Sequence, residues 1–377
     1  MGIDTAALEY DLPRERIATY PARPRDAARL MVCRRDPAGG LPALEHLTVA
    51  DLPGLPEWAA GDLLVRNETA VLPATFDLTR HPTGGRVEAL FLWAGAGAAG
   101  GDSDWRLLLK SGGKPRVGER LRGIGGLELD LRERLEDPSG GPPVWRVSVG
   151  FDGGDGHLPP EAFLERHGRM PLPPYIQAAR RRAGEEAVQA DDREAYNTCF
   201  AREPGSVAAP TAGLHLTPGV MDRLEARGVG QAAVTLHVGM GTFAPVTAAC
   251  LADHPIHAER WMVRAETLKQ LSETRARGGR VCAVGTTSVR TLESLPEGFD
   301  PDASLSGETD LFIRPNSGFT FRWTDRLMTN FHLPRSTLLA LVAALPDVGL
   351  DRLMRWYAEA IEQRYRFYSY GDAMLIL

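Results

Sequence analysis

Between Gly61 and about Phe151 the chain runs through short β-prone segments, each closed by glycine or proline, with no long helical period between them. Residues 62–65 lead to Val71-Leu72, and segments at 86–93, 105–110, 119–122, 127–131 and 144–151 follow. The breaks fall at 94–101, 111–113, 123–126 and 138–143. About six short strands at this spacing predict a small closed barrel or sandwich.

Outside that block the texture changes. Thr217-Pro218 reads as an N-cap followed by proline at the first helical position. Val220, Met221 and Leu224 then share a face, and Gly228 ends the run. A strand at 233–238, a helix at 265–277 stopped by Gly278-Gly279, and a strand at 280–284 come next. Another strand at 327–331 precedes a helix from Ser336, and 351–365 is amphipathic, with Leu353, Met354, Tyr357, Ile361 and Tyr365 on one stripe. Helices alternating with apolar strands predict an α/β fold, a layered and mostly parallel sheet. The simplest organisation builds that domain from both chain ends, residues 1–60 and 156–377, with the β-barrel inserted at 61–155.

The length of 377 residues suits two domains, and 43% hydrophobic with 24% charged residues excludes a disordered or fibrous chain. Lys+Arg 43 against Asp+Glu 49 gives a net charge of −6, so any nucleic acid must meet a local basic patch. The four cysteines are scattered with no CxxC pair, which argues against a disulfide framework or a cysteine zinc site. No signal-like segment opens the sequence, and Ala6 stands where a myristoylation signal wants Ser or Thr. The longest apolar run, 338–345, is far short of the ~20 residues that cross a bilayer. No membrane association and a cytoplasmic location are expected.

Five stretches could carry chemistry. Residues 281–293 read strand, Gly-Thr-Thr-Ser loop, helix, and such a helix N-terminus offers free N–H groups to an anion. Thr286, Thr287 and Ser288 add hydroxyls there and Arg290 a guanidinium fork; a structural N-cap is the plainer reading. The small-residue loop 205–215 permits close approach to a flat ligand and presents Thr211 and His215. His237 lies in the apolar strand 234–238 before a glycine turn, where a lone histidine is more often a satisfied core residue. The glycines after it fail as a nucleotide fingerprint, because Phe243-Ala244-Pro245 follows and no helix opens. Residues 329–337 end a strand in Asn330, His332 and Arg335 and start a helix, the position where α/β ligands bind. Finally, the arginines 166, 169, 180, 181 and 182 against the acids 161 and 165 make a local net charge of +3 beside Tyr175. That patch reads either as a solvated helix face or as a backbone-tracking surface for single-stranded RNA.

Ordered blocks along nearly the whole chain resemble the S-adenosylmethionine:tRNA ribosyltransferase-isomerase family. They include Tyr10-Asp11-Leu12-Pro13, Gly61 through Thr69, Pro171-Leu172-Pro173-Pro174-Tyr175-Ile176, 206–215, 234–243, 283–294, Thr309-Asp310-Leu311-Phe312-Ile313, 329–339 and Tyr370-Gly371-Asp372-Ala373-Met374. The chain departs from the family's pattern at Thr75 and Ala244, where arginine is usual, and at Pro315-Asn316-Ser317-Gly318. The resemblance implies transfer of the ribosyl group of S-adenosylmethionine to 7-aminomethyl-7-deazaguanine at the wobble position of tRNA. Epoxyqueuosine-tRNA forms, and adenine and methionine leave. No prosthetic group and no metal are implied.

Such a reaction needs proton transfer near neutral pH, for which histidine is suited. His215, His237 and His332 are therefore expected to line one site, with His215 or His332 moving the proton. Thr211, Thr286, Thr287, Ser288, Arg290, Asn330 and Arg335 are expected to bind substrate. Asp310 and Asp372 are expected to pair with the sulfonium, the methionine ammonium or the substrate amine. For tRNA, Tyr175 is the expected stacking platform, and Arg180, Arg181, Arg182, Lys110, Lys114 and Arg116 the expected backbone contacts. The anticodon loop would be the part engaged. A monomer is expected, with an oligomer left open. The competing readings are another S-adenosylmethionine-dependent RNA enzyme, such as a methyltransferase, and a non-catalytic RNA-binding module.

Overall fold

The computed structural model of the protein describes residues 3–36, 38, 40, 42–95, 104–137, 141–156, 158–239 and 246–377. The first strands are β1 (Arg29–Cys33), β2 (Glu45–Thr48), β3 (Leu63–Asn67) and β4 (Thr69–Val71). Then β5 (Thr75–His81), β6 (Arg86–Gly95), β7 (Asp104–Ser111), β8 (Arg120–Gly123), β9 (Leu127–Leu135) and β10 (Val144–Phe151) follow without an α-helix between them. The rest are β11 (Glu203–Ser206), β12 (Gly230–Leu236), β13 (Glu259–Val263), β14 (Val281–Val284), β15 (Leu305–Thr309), β16 (Arg326–Asn330) and β17 (Ala373–Ile376), with α-helices before β11, β12, β14, β15 and β17.

Nine strands make one large sheet in the order β15-β13-β12-β3-β14-β16-β17-β1-β2. The centre, β12-β3-β14-β16, is parallel, as is β17-β1. The other four pairs are antiparallel. The class is α/β, but the sheet is mixed rather than mostly parallel. The reason lies at its margins: β13 and β15 turn back at one edge, β2 pairs back on β1 at the other, and β17 enters against β16.

Side chains alternate across each strand, so each strand feeds two cores. Leu63, Val65, Val281, Ala283 and Leu327 pack on one face, against helices 265–276, 286–293, 337–343 and 349–362. Leu64, Cys282, Val284, Met328 and Leu375 pack on the other, against Val220, Met221 and Leu224 of the helix Pro218–Ala226. Strands apolar on both faces must be covered on both, which places β3 and β14 at the centre. Residues 62–65, expected to lead into the barrel, thus belong to the large sheet. At the N-terminal end of the parallel strands Asp62 and Arg326 form a buried ion pair at 2.9 Å. Asp62 also accepts from the Ala59 and Arg280 amides at 3.1 and 2.9 Å.

The second body is a closed antiparallel barrel, β10-β7-β6-β5-β8-β9. Phe76, Leu78, Val87, Phe91, Trp105, Leu107, Leu129 and Val147 fill it. Phe163 of the helix Pro160–His167 plugs one end, with its ring centroid 6.3 Å from Phe76 and 5.9 Å from Trp105.

Candidate active site

The central parallel strands end together, and their C-terminal ends carry polar residues. Asn67, at the end of β3, donates from its amide to the Leu236 carbonyl at 3.0 Å and accepts from the Leu236 N–H at 3.2 Å. It thus continues the pairing with β12 while the main chain turns away. Thr69, just beyond, places its Oγ1 3.0 Å from Nδ1 of His237. The His237 ring is half-buried, and Gly205 packs so closely on it that a Cβ there would stand 2.8 Å from Cε1.

After β14, Gly285 has φ 85°, a left-handed conformation that lets the helix Thr286–Glu293 begin at the strand's end. Gly285 lies against the 205–215 loop: a Cβ on it would meet Thr287 Oγ1 at 3.5 Å and Ala212 Cβ at 3.6 Å. Thr286, Thr287 and Ser288 are all buried. Ser288 donates back to the Val284 carbonyl at 2.7 Å, so that hydroxyl serves the turn. Thr287 Oγ1 has no hydrogen-bond partner.

At the end of β16, Asn330 donates to the carbonyls of Tyr368 (2.8 Å) and Ser369 (3.4 Å). Its Oδ1 faces Nε2 of His215 at 3.4 Å. His332 sits 2.9 Å from Thr329 Oγ1 through Nε2. Its N–H donates to the Tyr357 hydroxyl at 2.9 Å, and its carbonyl accepts from Tyr10. Burial pushes His215 down to about 4, against upward pulls from Asp372 and Asn330, and His332 down to about 3. Both imidazoles are neutral at neutral pH. Burial also lowers His237; Arg260 adds to that and Glu203 opposes it.

Between the barrel and this edge of the sheet lies a cleft of about 690 Å³. Leu92, Trp93, Leu108 and Val144 line the barrel side. His237, Val238, Glu259, Arg260, Arg290 and Leu311 line the sheet side, with Tyr175 also in the wall. Glu259 accepts from the Gly239 N–H at 3.0 Å and pairs with Arg290. Arg290 further donates to the carbonyls of Thr309 (3.1 Å) and Leu311 (3.2 Å), so one guanidinium ties three segments together. His257 and Asp137 meet at 3.3 Å and join the sheet to the barrel across the cleft. His254, buried beside it, has an Nδ1 without a hydrogen-bond partner. Among the described residues no group of three or more His, Cys, Asp or Glu could hold a metal ion.

Of the residues singled out in the sequence, His237, Arg290 and Tyr175 face the cleft directly. Thr211, His215, Thr286, Thr287, Ser288, Asn330 and His332 do not line it. Two of them are tied to its wall: the Tyr175 hydroxyl bonds Ser369 Oγ, the Ser369 carbonyl accepts from Asn330, and Asn330 faces His215.

Others are placed elsewhere. The Asp372 carboxylate is buried and engaged within the protein, accepting from the Arg29 N–H (3.1 Å), the Arg366 N–H (2.8 Å) and the Arg366 guanidinium (3.1 Å). These bonds tie the loop before β17 to β1. Arg180 is likewise corrected. It is buried, grips Asp192 at 2.7 and 2.8 Å, and cannot reach a phosphate. Arg181, Arg182, Lys110, Lys114 and Arg116 are exposed, and none lines the cleft. Lys110 stands 3.9 Å from Glu88. Asp310 is exposed outside the cleft lining. Arg335 has φ 53° and is placed 3.9 Å from Glu9. Thr75 pairs through its backbone with Arg169, at 3.1 and 2.7 Å, while Ala244 lies outside the described residues.

Sequence reasoning missed Trp93, Glu259, His254 and Arg260. Glu259 and Arg260 open β13, the second strand from one edge of the large sheet, and nothing local marks Glu259 as the partner of Arg290, about thirty residues on.

A model of the queuosine biosynthesis protein family matches residues 5–376. The S-adenosylmethionine:tRNA ribosyltransferase-isomerase of Acidiphilium cryptum is 46% identical, over 99% of this chain and 99% of its own. That of Anaeromyxobacter sp. is 48% identical, over 98% of this chain and 97% of its own. Among solved structures, an S-adenosylmethionine tRNA ribosyltransferase from Thermotoga maritima is 33% identical, covers 98% of this chain and 100% of its own, and superposes with a TM-score of 0.52.

Proposed function

The chain belongs to the queuosine biosynthesis protein family of S-adenosylmethionine:tRNA ribosyltransferase-isomerases, and we propose that the cleft between barrel and sheet is where its reaction runs. The enzyme transfers and isomerises the ribosyl moiety of S-adenosylmethionine onto 7-aminomethyl-7-deazaguanine in tRNA, giving epoxyqueuosine-tRNA, adenine and methionine. The observation that carries the site assignment is the convergence of His237, Arg290 and Tyr175, from three distant segments, on one cleft.

The chemistry asks for a base that removes a proton from the ribose methylene next to the sulfonium. Of the histidines that line the cleft, His237 is the one that follows directly on a central parallel strand, β12, and its lowered pKa keeps it unprotonated at neutral pH, ready to accept. It takes the role first expected of His215 or His332, which do not line the cleft. Those two are neutral and buried; His215 is joined to the cleft through Asn330, Ser369 and Tyr175. Glu259 supports binding of the cationic methionine ammonium or sulfonium, and Arg290 binding of the carboxylate. Thr211, Thr286, Thr287 and Ser288 shape the turn against which the nucleoside packs. The scheme calls for no metal and no prosthetic group.

The anticodon loop delivers the wobble base, which is single-stranded and can be splayed into a pocket. Arg181, Arg182, Lys114 and Arg116 remain exposed candidates for its phosphates. The barrel is read as an inserted domain of a discontinuous α/β protein, its start taken past residue 71 because β3 belongs to the large sheet and β4 pairs with β11 outside the barrel. The protein works as a monomer in the cytoplasm; among the described residues no helix is long and apolar enough to cross a membrane.

Incubation with labelled S-adenosylmethionine and tRNA carrying the deazaguanine precursor tests the reading. Free adenine and methionine are expected. S-adenosylhomocysteine would instead mark a methyltransferase.

A further inference from the structure

The described residues include three large hydrophobic side chains that are well exposed: Trp93, Val117 and Ile124. Of these only Trp93, at 41% exposure, lines the cleft. Its presentation is built into the barrel. Phe91 pairs with Leu107, but Trp93 pairs with Arg106, the next residue back on β7, so β6 carries one extra residue at this point. Such a bulge turns two consecutive side chains to one side of the strand. Leu92 and Trp93 accordingly both line the cleft, while Phe91 stays in the barrel core.

Arg106, directly across from Trp93, has a buried Nη1 with no hydrogen-bond partner. Its neighbour across the next pair, Arg146, is by contrast held by Asp104 at 3.1 Å and Glu133 at 2.9 Å. Arg106 does not itself line the cleft; the flat apolar ring of Trp93 exposed in the cleft wall is the feature on which a single-stranded base stacks.

We infer that Trp93, raised by the β6 bulge, is a stacking platform for a nucleobase of the tRNA substrate. The inference rests on the tRNA-directed activity proposed above. It assigns to Trp93 the platform role expected of Tyr175, whose hydroxyl is bonded to Ser369 and whose ring packs edge-on against Tyr368 at 4.9 Å. A tRNA base is favoured over the adenine of S-adenosylmethionine because Trp93 stands on the barrel rim, across the cleft from His237, Glu259 and Arg290.

The test measures binding of precursor tRNA and, separately, of S-adenosylmethionine to the full chain, with adenine release followed in parallel. Trp93→Ala is expected to weaken tRNA binding roughly tenfold or more, and Trp93→Phe to stay within about threefold of wild type. Affinity for S-adenosylmethionine alone stays within about twofold in both. Unchanged tRNA affinity in Trp93→Ala overturns the inference. So does an equal loss in Trp93→Phe, or a loss of S-adenosylmethionine affinity instead of tRNA affinity. A wild-type chain that binds tRNA without releasing adenine would strike the ribosyl-transfer reading, while a Trp93→Ala binding defect would still uphold the platform.

Discussion

His237 Nδ1 and Thr69 Oγ1 stand 3.0 Å apart, with Thr69 one residue past the peptide turn that Asn67 begins. The hydroxyl fixes the orientation of the ring that faces the cleft, leaving Nε2 for the substrate. Thr69→Val keeps the shape and removes the hydroxyl. It is expected to lower kcat about tenfold with KM little changed, and Thr69→Ser to restore most of the rate. Steady-state kinetics of both variants decide; a kcat equal to wild type in Thr69→Val would remove Thr69 from any positioning role.

Proton acceptance by His237 sets the sign of the pH profile. A base works only when neutral, so kcat/KM rises with pH and levels off once the ring is deprotonated. Because burial and then Arg260 lower its pKa, the rising limb falls below the ordinary histidine value of 6.5. Arg260→Gln removes the charge that lowers it and is expected to move that limb to higher pH. A limb that stays in place, or moves down, contradicts the assignment.

Arg180 and Arg182 separate structure from RNA contact on one helix. Arg180→Gln leaves Asp192 buried and unpaired, and is expected to cost about 3–5 kcal/mol of stability with the salt dependence of tRNA binding unchanged. Arg182 is exposed. Arg182→Gln is expected to change stability by less than about 0.5 kcal/mol and to reduce the slope of log affinity against log salt by about one. Denaturant titrations and tRNA binding over a salt series read both; the reverse pattern would sink this division.

His215 ties the site to acid stability. Above pH 6.5 its ring is neutral in folded and unfolded chains alike, and stability is intact. As pH falls from 6.5 to about 4, the unfolded chain takes up a proton that the folded chain refuses, and stability drops by about 3 kcal/mol. His332 acts in the same direction. His215→Gln is expected to flatten this loss, seen by urea unfolding at pH 7 and pH 5. Parallel losses in wild type and variant would show that His215 is not the group responsible.

Elements with strong local punctuation were readable from residues alone. Thr217 caps the helix Pro218–Ala226 by accepting from the Val220 N–H, and Gly285 starts the helix after β14. Pairing partners were not readable: residues 62–65 form a short apolar strand, and nothing within it says whether it joins the barrel or the centre of the sheet. β5 carries the alternation of a half-buried strand, with Phe76 and Leu78 facing in and Thr75, Asp77 and Thr79 facing out, and the sequence reading passed over it. The histidine, threonine and asparagine blocks at the strand ends were legible as one region, since α/β topology gathers such ends. Which of them face the cleft depended on packing. Arg180 looked like part of a charged surface run, yet it lies four residues after buried Ile176 and shares that helix's inner face.

The most direct test is single-turnover adenine release from S-adenosylmethionine and precursor tRNA, comparing wild type with His237→Ala. The cleft assignment predicts a fall of about 10²–10⁴ in rate for the variant, with both substrates still bound. Adenine released at the wild-type rate would place the chemistry somewhere other than this cleft.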